Sequence, residues 1–575
     1  MFSPYRARMM GTRHMVAAGH YLAAQAGFQI LEAGGNAVDA GVGSGIALGV
    51  LLGEYVNFGG VAPIIVYSAE KDEVVTISGL GWWPKATDLE VFHRDHGGRI
   101  PRGLLRTVIP AAPDAWITAL EHYGSMSFAD VVVPAMRLAR EGFPTSYLSH
   151  EIITSRAESY RLWPSGRDIF LPNGAPPKTG DVFVQTDLAN TLQYLADQES
   201  AAKGSREQGL HAARDAFYKG DIAQKIVAFH RENGGWLTAE DLAAFRVEIE
   251  PAPSVTFQGF QVFGCGPWCQ GPVLLETLSI LDGMDVKSLG HNTADYVHVL
   301  VEALKIAFSD RHTYVGDPRF VDVPMAGLLG KDYAALRRSG IDMAKVCPGM
   351  PPPGTPAELG LAGAGRASKV PPAAALDAEM GLDTSFTCVV DRHGNAFAAT
   401  PSDGTHSSPI IPGTGITPSP RGVQSWTDPE HPACLAPGKR PRLTPNPAIA
   451  MKNGEWLMPF GSPGNDVQCQ AMIQLLLNIH VFGMTPQDAS EQPRLATVSF
   501  PRSSEPHDYT PDLLNLERRF DPAVAEELER RGHVVQWWPD WDWRAGTSCA
   551  VLADKKTGVL EGAADPRRPS AVAGW

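Results

Sequence analysis

Apolar positions recur close to every 3.6 residues in "HYLAAQAGFQILEAGG" and stop at Gly34 and Gly35, which predicts a helix with a glycine end. A second helix restarts at Asn36, a side chain suited to capping, and runs through "NAVDAGVGSGIALGVLL". "GSMSFADVVVPAMRLAREGFP" reads as a capped amphipathic helix ended by Gly142 and Pro144. "TADYVHVLVEALKIAFSDRH" is another, with Val297, Leu300, Val301, Leu304 and Phe308 on one face. "APIIVYSAEKDEVVTISG" alternates as a hairpin about the polar turn "AEKDE". The first two-thirds of the chain is therefore expected to be mostly helical, with some strands.

The patterning then fails. From Cys347 to Leu382 the chain is Pro, Gly and Ala with almost no periodicity. Such a segment cannot bury enough apolar surface to offset its ordering entropy, so 347–383 reads as a flexible tether able to span about 120 Å. Ordered β-structure follows at once: Thr384 to Val390 a strand, "DRHGN" a tight turn, Ala396 to Thr400 the return. "NPAIAMKNGEWLMPFGSPGN" repeats the hairpin, and "DVQCQAMIQLLLNIHVFG" is a helix opening directly after "GSPGN". "DLLNLERRFDPAVAEELERRGHVVQWW" reads as a helix followed by strands. Segments 1–383 and 384–575 are either two domains or one sandwich whose connection is expendable.

Composition excludes more than it identifies. The 575 residues are 44% hydrophobic and 19% charged, enough for a large core, and the net charge is −14. No Lys/Arg cluster is long enough to track phosphates, so nucleic acid is not an expected partner. "AGVGSGIALGVLLG" is too short and glycine-rich to span a bilayer, and it lacks the preceding strand and the Lys of a nucleotide loop. Close helix packing explains it. No apolar core of signal-peptide type precedes Gly11. Seven cysteines fit no zinc spacing and read as reduced thiols in a cytoplasmic protein; no metal and no cofactor are expected.

One chemical reading explains why the tether ends where it does. A Thr hydroxyl is a poor nucleophile without a base. Cutting the Asp383–Thr384 bond would give Thr384 a free α-amine with a pKa of about 8, able to take the hydroxyl proton. Thr384 would then be a concealed N-terminus; otherwise it merely opens a strand. "FGSPGN", Phe460 to Asn465, sits between strand and helix, where successive backbone N–H groups can form an anion nest of the kind an acyl-transfer enzyme needs.

These motifs, in this order, resemble the γ-glutamyltranspeptidases, which are N-terminal-nucleophile hydrolases. "AAQAGFQILEAGGNAVDAGVGSGIALGV", "YGSMSFADVVVPAMRLAREGF", "EALKIAFSDRHTYVGDPRFV", "DTSFTCVVDRHGNAFAAT", "GKRPRLTPNPAIAMKNGEW" and "GSPGN" are similar to successive family blocks across nearly the whole chain. The resemblance implies an α+β fold, an αββα sandwich. It is built from a large segment (1–383) and a small one (384–575), made by autocleavage between Asp383 and Thr384 and remaining together as a heterodimer. It implies Thr384 as nucleophile, Ser402 in place of a second Thr whose hydroxyl touches it, and Gly464 and Asn465 as the oxyanion pair. Asn465 stands where the family has Gly, a less comfortable residue if φ is positive.

The family's amino-acid clamp is altered. Leu80, in "SGLGWWPKA", stands at the position of an Arg that holds the glutamyl α-carboxylate. Gly404 replaces an Asn, Gln424 replaces the Asp that binds the α-amine, and Leu443 and Thr444 replace a Ser-Ser pair. Trp82 and Trp83 sit beside the lost clamp, where they would favour an apolar or aromatic acyl group unless they are core. Arg421 could hold a smaller acid; Arg442 is a second local cation, and Arg440 is expected to fix structure. The expectation is an enzyme acting on small-molecule amides, hydrolase or acyltransferase, favouring a non-glutamyl acyl group. The alternatives are a true γ-glutamyl enzyme with a rewired clamp and an uncleaved binding protein on the same fold.

Overall fold

The computed structural model describes residues 5–356, 369–373 and 384–575. Two seven-stranded antiparallel sheets lie face to face. The first runs Met9–Gly11, Leu560–Ala564, Cys549–Asp554, Trp456–Gly461, Ala448–Lys452, Phe260–Phe263, Ser254–Phe257. The second runs Ala571–Gly574, Met15–Ala18, Thr387–Val390, Ala396–Ala399, Ile64–Ser68, Glu73–Ile77, Ile249–Pro251. Both sheets contain strands from before and after residue 384, so the two segments share one sandwich and are not separate domains.

Alternation builds the layers. Cys388 and Val390 point between the sheets, where they meet Met15, Ile65, Ile449, Leu457 and Val551. Val389, Phe397 and Ala399 point outward into the cluster formed with helices Tyr21–Glu32, Ala37–Leu51 and Ala112–Tyr123. On the far side Gly271–Asp282, Ala294–Tyr314 and Gln468–His480 cover the first sheet. The result is α-β-β-α.

The helix Ala37–Leu51 is buried along its whole length. Asn36 caps it, and the Asp39 carboxylate accepts from the Asn36 backbone in return. A Cβ on Gly41 would stand 2.1 Å from the Phe397 ring, and one on Gly45 2.5 Å from Trp116. Two glycines of "GVGSG" are therefore contact surfaces for aromatic rings, and the third, Gly43, packs on Ile30 and Val131. All seven cysteines are unpaired thiols. No described helix is long and apolar enough to cross a membrane.

Three expectations change. Ala294–Tyr314 is buried from Tyr296 to Tyr314 all round, not on one face. Part of its outer side is covered by the start of the tether: Ser309 donates to the Pro351 carbonyl at 2.6 Å, Tyr314 to the Gly354 carbonyl at 2.6 Å, and Lys305 to the Cys347 carbonyl. Residues 347–356 are thus docked, not loose. Lys369 and Ala373 also touch the body, at His312 and Tyr509. The rest of the tether, Asp383 included, lies outside the described residues. Finally, Leu513–Glu517 is a strand, and the helix is confined to Pro522–Arg530 behind its Asp521 cap. All five residues of that strand are buried, Asn515 and Glu517 included, so its apolar positions do not alternate and carry no period to separate helix from strand.

Gly41→Val adds bulk against the Phe397 ring without a helix-propensity gain large enough to offset it. It is expected to cost about 1–3 kcal/mol, read as a lowered thermal midpoint. An unchanged midpoint would contradict this account of the helix–sheet contact.

Candidate active site

Thr384 stands three residues ahead of the central strand Thr387–Val390 and is fully buried. Its backbone is held on both sides: Ser385 N–H donates to the Pro401 carbonyl at 3.0 Å, and Arg568 Nη1 donates to the Thr384 carbonyl at 3.0 Å. The Thr384 and Ser402 hydroxyls are 2.8 Å apart. Ser402 is itself fixed by its N–H to the Val61 carbonyl at 3.0 Å.

Beside them is a buried ion pair. Arg421 Nε donates to Asp403 Oδ1 at 2.6 Å, and Arg421 Nη2 donates to Ser402 Oγ. Asp403 has φ of +87°, and its other oxygen accepts from Ser419. The expectation of Arg421 as an open carboxylate holder is therefore corrected. Its guanidinium is 1% exposed and engaged with Asp403 and Ser402.

The glycine-rich turn follows the strand Trp456–Gly461. Gly464 has φ of +127° and Asn465 +55°, so Asn465 does occupy the left-handed region. A 3₁₀ turn, Asn465–Val467, intervenes before the helix Gln468–His480. Asp466 anchors it: its carboxylate accepts from Arg311 Nη1, Gln270 Nε2 and both the N–H and hydroxyl of Ser503, the last pair at 2.8 and 2.6 Å. Burial works to raise the Asp466 pKa, but Arg311 and Ser503 outweigh it and hold the carboxyl below its ordinary value.

Gln424 and Thr444 meet beside this turn. Gln424 Oε1 accepts from Thr444 N–H at 3.1 Å; its Nε2 faces Thr444 Oγ1 at 2.9 Å, Asn465 Oδ1 at 3.2 Å and Ser504 Oγ at 3.2 Å. Gly404 packs on the chain: a Cβ there would stand 2.3 Å from the Glu54 carbonyl.

The remaining candidates lie in the core. Leu80 and Leu443 share an apolar cluster with Val61, Cys265 and Trp268. Trp83 is buried among Phe92, Ile100, Val108 and Leu435, its indole N–H donating to Ser425 at 2.9 Å. Trp82 packs on Phe245 with the Arg319 guanidinium 5.2 Å above its ring. Their packing is structural, and none of the four is among the residues that line the main cavity. Arg440 does fix structure, through Asp317, Glu248 and Glu250. Arg442 is buried and donates to the Arg311 carbonyl.

That cavity, about 510 Å³, is walled by Gly464, Asn465, Asp466 and Arg421 and by Arg102, Arg106, Arg156, Arg502, His406, Ser504, Glu505 and Asp508, among others. Arg156 donates to His406 Nδ1 at 3.0 Å. Burial, with Arg156, Arg102 and Arg106 adding, pushes the His406 imidazole well below its ordinary pKa. Burial raises the Glu505 carboxyl. Among the described residues no group of three or more His, Cys, Asp or Glu side chains is placed to hold a metal ion. Asp403, Asp466, Arg568, Arg102, Arg106, Arg156 and Arg502 were not singled out in the sequence. Asp403 and Asp466 carry a weak signal as chain neighbours of Ser402 and Asn465, and Arg568 carries none.

The chain matches the Gamma-glutamyltranspeptidase family over residues 23–575. It is 32% identical to the glutathione hydrolase-like YwrD proenzyme of Bacillus subtilis (strain 168), covering 98% of this chain and 99% of that one. It is 32% identical to the acylase ACY 1 proenzyme of Pseudomonas sp. (strain SE83), over 96% and 92%. The crystal structure of cephalosporin acylase from Bacillus halodurans superposes with a TM-score of 0.85 at 30% identity, over 100% and 99%.

The positive φ at Asn465 yields a test of what the turn contributes. Asn465→Gly keeps the N–H and suits that backbone, so kcat should stay within about threefold. Asn465→Val opposes it and should lower kcat about tenfold or more. Equal loss in both would mean that the Asn465 side chain, not its amide, is what matters.

Proposed function

The chain belongs to the gamma-glutamyltranspeptidase family of N-terminal-nucleophile amide hydrolases and acyltransferases, and from that we propose that Thr384 is both the site of self-cleavage and the nucleophile. The observation that carries this reading is the 2.8 Å contact of Thr384 with Ser402, whose partner Arg421 lines the same cavity as Gly464 and Asn465. After cleavage, Oγ1 attacks the acyl carbon and its proton passes to the Thr384 α-amine. The carbonyl electrons move to oxygen, held by the Gly464 and Asn465 amides. Collapse breaks the C–N bond, and the α-amine returns the proton to the leaving amine. Water, or an acceptor amine, then attacks the Thr384 ester by the same route and restores the hydroxyl.

The acyl group we infer is an acid without the glutamyl α-ammonium. Gln424, at the position of the amine-binding Asp, is occupied by Thr444, Asn465 and Ser504 and brings no charge. Leu80 brings none for the α-carboxylate. The cavity wall is rich in arginine, and Trp82 and Trp83 are engaged in the core, which favours an anionic chain over an aromatic one. A second reading, a true γ-glutamyl enzyme with a rewired clamp, is supported by Glu505 and Asp508 on the same wall, either of which could meet an ammonium.

Purified protein should show two fragments, the smaller beginning at Thr384, and Thr384→Ala should stay a single chain; another new N-terminus by mass analysis would reject the assignment. Among p-nitroanilides, glutaryl should exceed γ-glutamyl by about tenfold or more in kcat/KM, since the extra ammonium loses hydration without a partner, and phenylacetyl should be poor. A γ-glutamyl compound that wins selects the second reading.

A further inference from the structure

We propose that Arg421 is a positioning residue that sets the direction of the hydroxyl contact at the nucleophile, acting through Ser402. The proposal rests on Thr384 being the nucleophile. A guanidinium has donors only, so Ser402 Oγ accepts from Arg421 Nη2. Either hydroxyl could donate across the 2.8 Å contact, and with one Ser402 lone pair taken the proposal places the Ser402 proton toward Thr384 Oγ1. Thr384 Oγ1 accepts, and its own proton is left for the α-amine. The opposite polarity would point the Thr384 proton at Ser402 and away from its base. As the proton leaves and negative charge grows on Oγ1, the Ser402 O–H, polarised by the cation behind it, stabilises that charge.

The surroundings hold this orientation. Asp403 takes Arg421 Nε at 2.6 Å, and Ser419 donates to the second Asp403 oxygen. Asp403 keeps this place from a φ of +87°, a backbone that L residues rarely adopt, with its carbonyl accepting from Asn57 Nδ2 at 2.9 Å. The guanidinium is thus held in one plane and buried. Among the described residues, the charged and titratable groups about the contact are Arg421 and Asp403 on one side. On the other is Arg568, which binds the Thr384 carbonyl, with Tyr55 under its guanidinium and Glu54 nearby.

The test uses the mature enzyme with two substrates, glutaryl-p-nitroanilide and the uncharged butyryl-p-nitroanilide. Arg421→Gln should lower kcat about 10- to 100-fold on both, with KM within about threefold. The cation favours the deprotonated nucleophile, so its loss should move the acid limb of the pH profile to higher pH. Arg421→Lys should recover part of both effects. Arg421→Gln with Ser402→Ala should be no slower than Ser402→Ala alone. A loss confined to KM and to the glutaryl substrate would overturn the proposal in favour of a substrate-holding cation, and additive losses in the double variant would overturn action through Ser402. If Arg421→Gln matures slowly, the rate of precursor cleavage reads the same hydroxyl and must show the same non-additivity. A Thr384→Ala chain that still cleaves and turns over would reject the nucleophile and the proposal together. A cleaved Arg421→Gln enzyme with unchanged kcat and pH limb would reject the proposal alone.

Discussion

The arrangement depends on one ladder. Thr387–Val390 is hydrogen-bonded on one edge to Met15–Ala18 and on the other to Ala396–Ala399. Its register is fixed by burial on both faces, Val389 among the outer helices and Cys388 between the sheets. A slip of one residue would exchange the two faces and carry Thr384 roughly 3.3 Å along the strand, out of reach of Ser402. The same ladder joins a strand from before the Asp383–Thr384 bond, Met15–Ala18, to two from after it. Breaking that bond removes no strand pairing, so the two segments remain one body.

Charge is used in two ways. Deep in the structure several cations are paired: Arg311 with Asp466, Arg421 with Asp403, Arg440 with Asp317, and Arg567 with Glu517 and Asp565. Deleting one member of such a pair strands the other and costs about 3–5 kcal/mol. Two of these pairs stand behind the proposed reacting groups, Asp466 behind the Gly464–Asn465 turn and Arg421 behind Ser402. At the cavity wall Arg102, Arg156 and Arg502 are less deeply placed, where a mobile anion can reach them.

Elements with a period were legible in the sequence, together with their caps and glycine stops: Asn36, the capped helix Phe128–Glu141 and the hairpin Ile64–Ser68/Glu73–Ile77 fall where the pattern puts them. Leu513–Glu517 was not, because a strand buried on both faces has no alternation. At the site, local motifs carried Thr384, Ser402 and the Gly464–Asn465 turn into view. What a motif cannot carry is the direction in which a side chain is spent. Gln424 stands at a position that binds the ligand in the family and Arg421 reads as a local cation able to hold a smaller acid, and here their polar atoms are engaged with Thr444, Asn465, Asp403 and Ser402. Trp83 is likewise decided by Phe92 and Leu435 against it, neighbours a linear pattern does not name.

The interleaving of the sheets has a consequence for synthesis. Met15–Ala18, among the first strands to leave the ribosome, pairs with Thr387–Val390 on one side and with Ala571–Gly574 on the other. Its second partner is therefore translated some 550 residues later. Pairings of such separation form late, after the cost of closing very long loops has been met. The sheet around the strand after Thr384 is not complete until Ala571–Gly574 has been made. Under the proposed self-cleavage, cutting that needs the complete sheet would follow that pairing and act as a proofreading step, with only correctly threaded chains acquiring the new amino terminus.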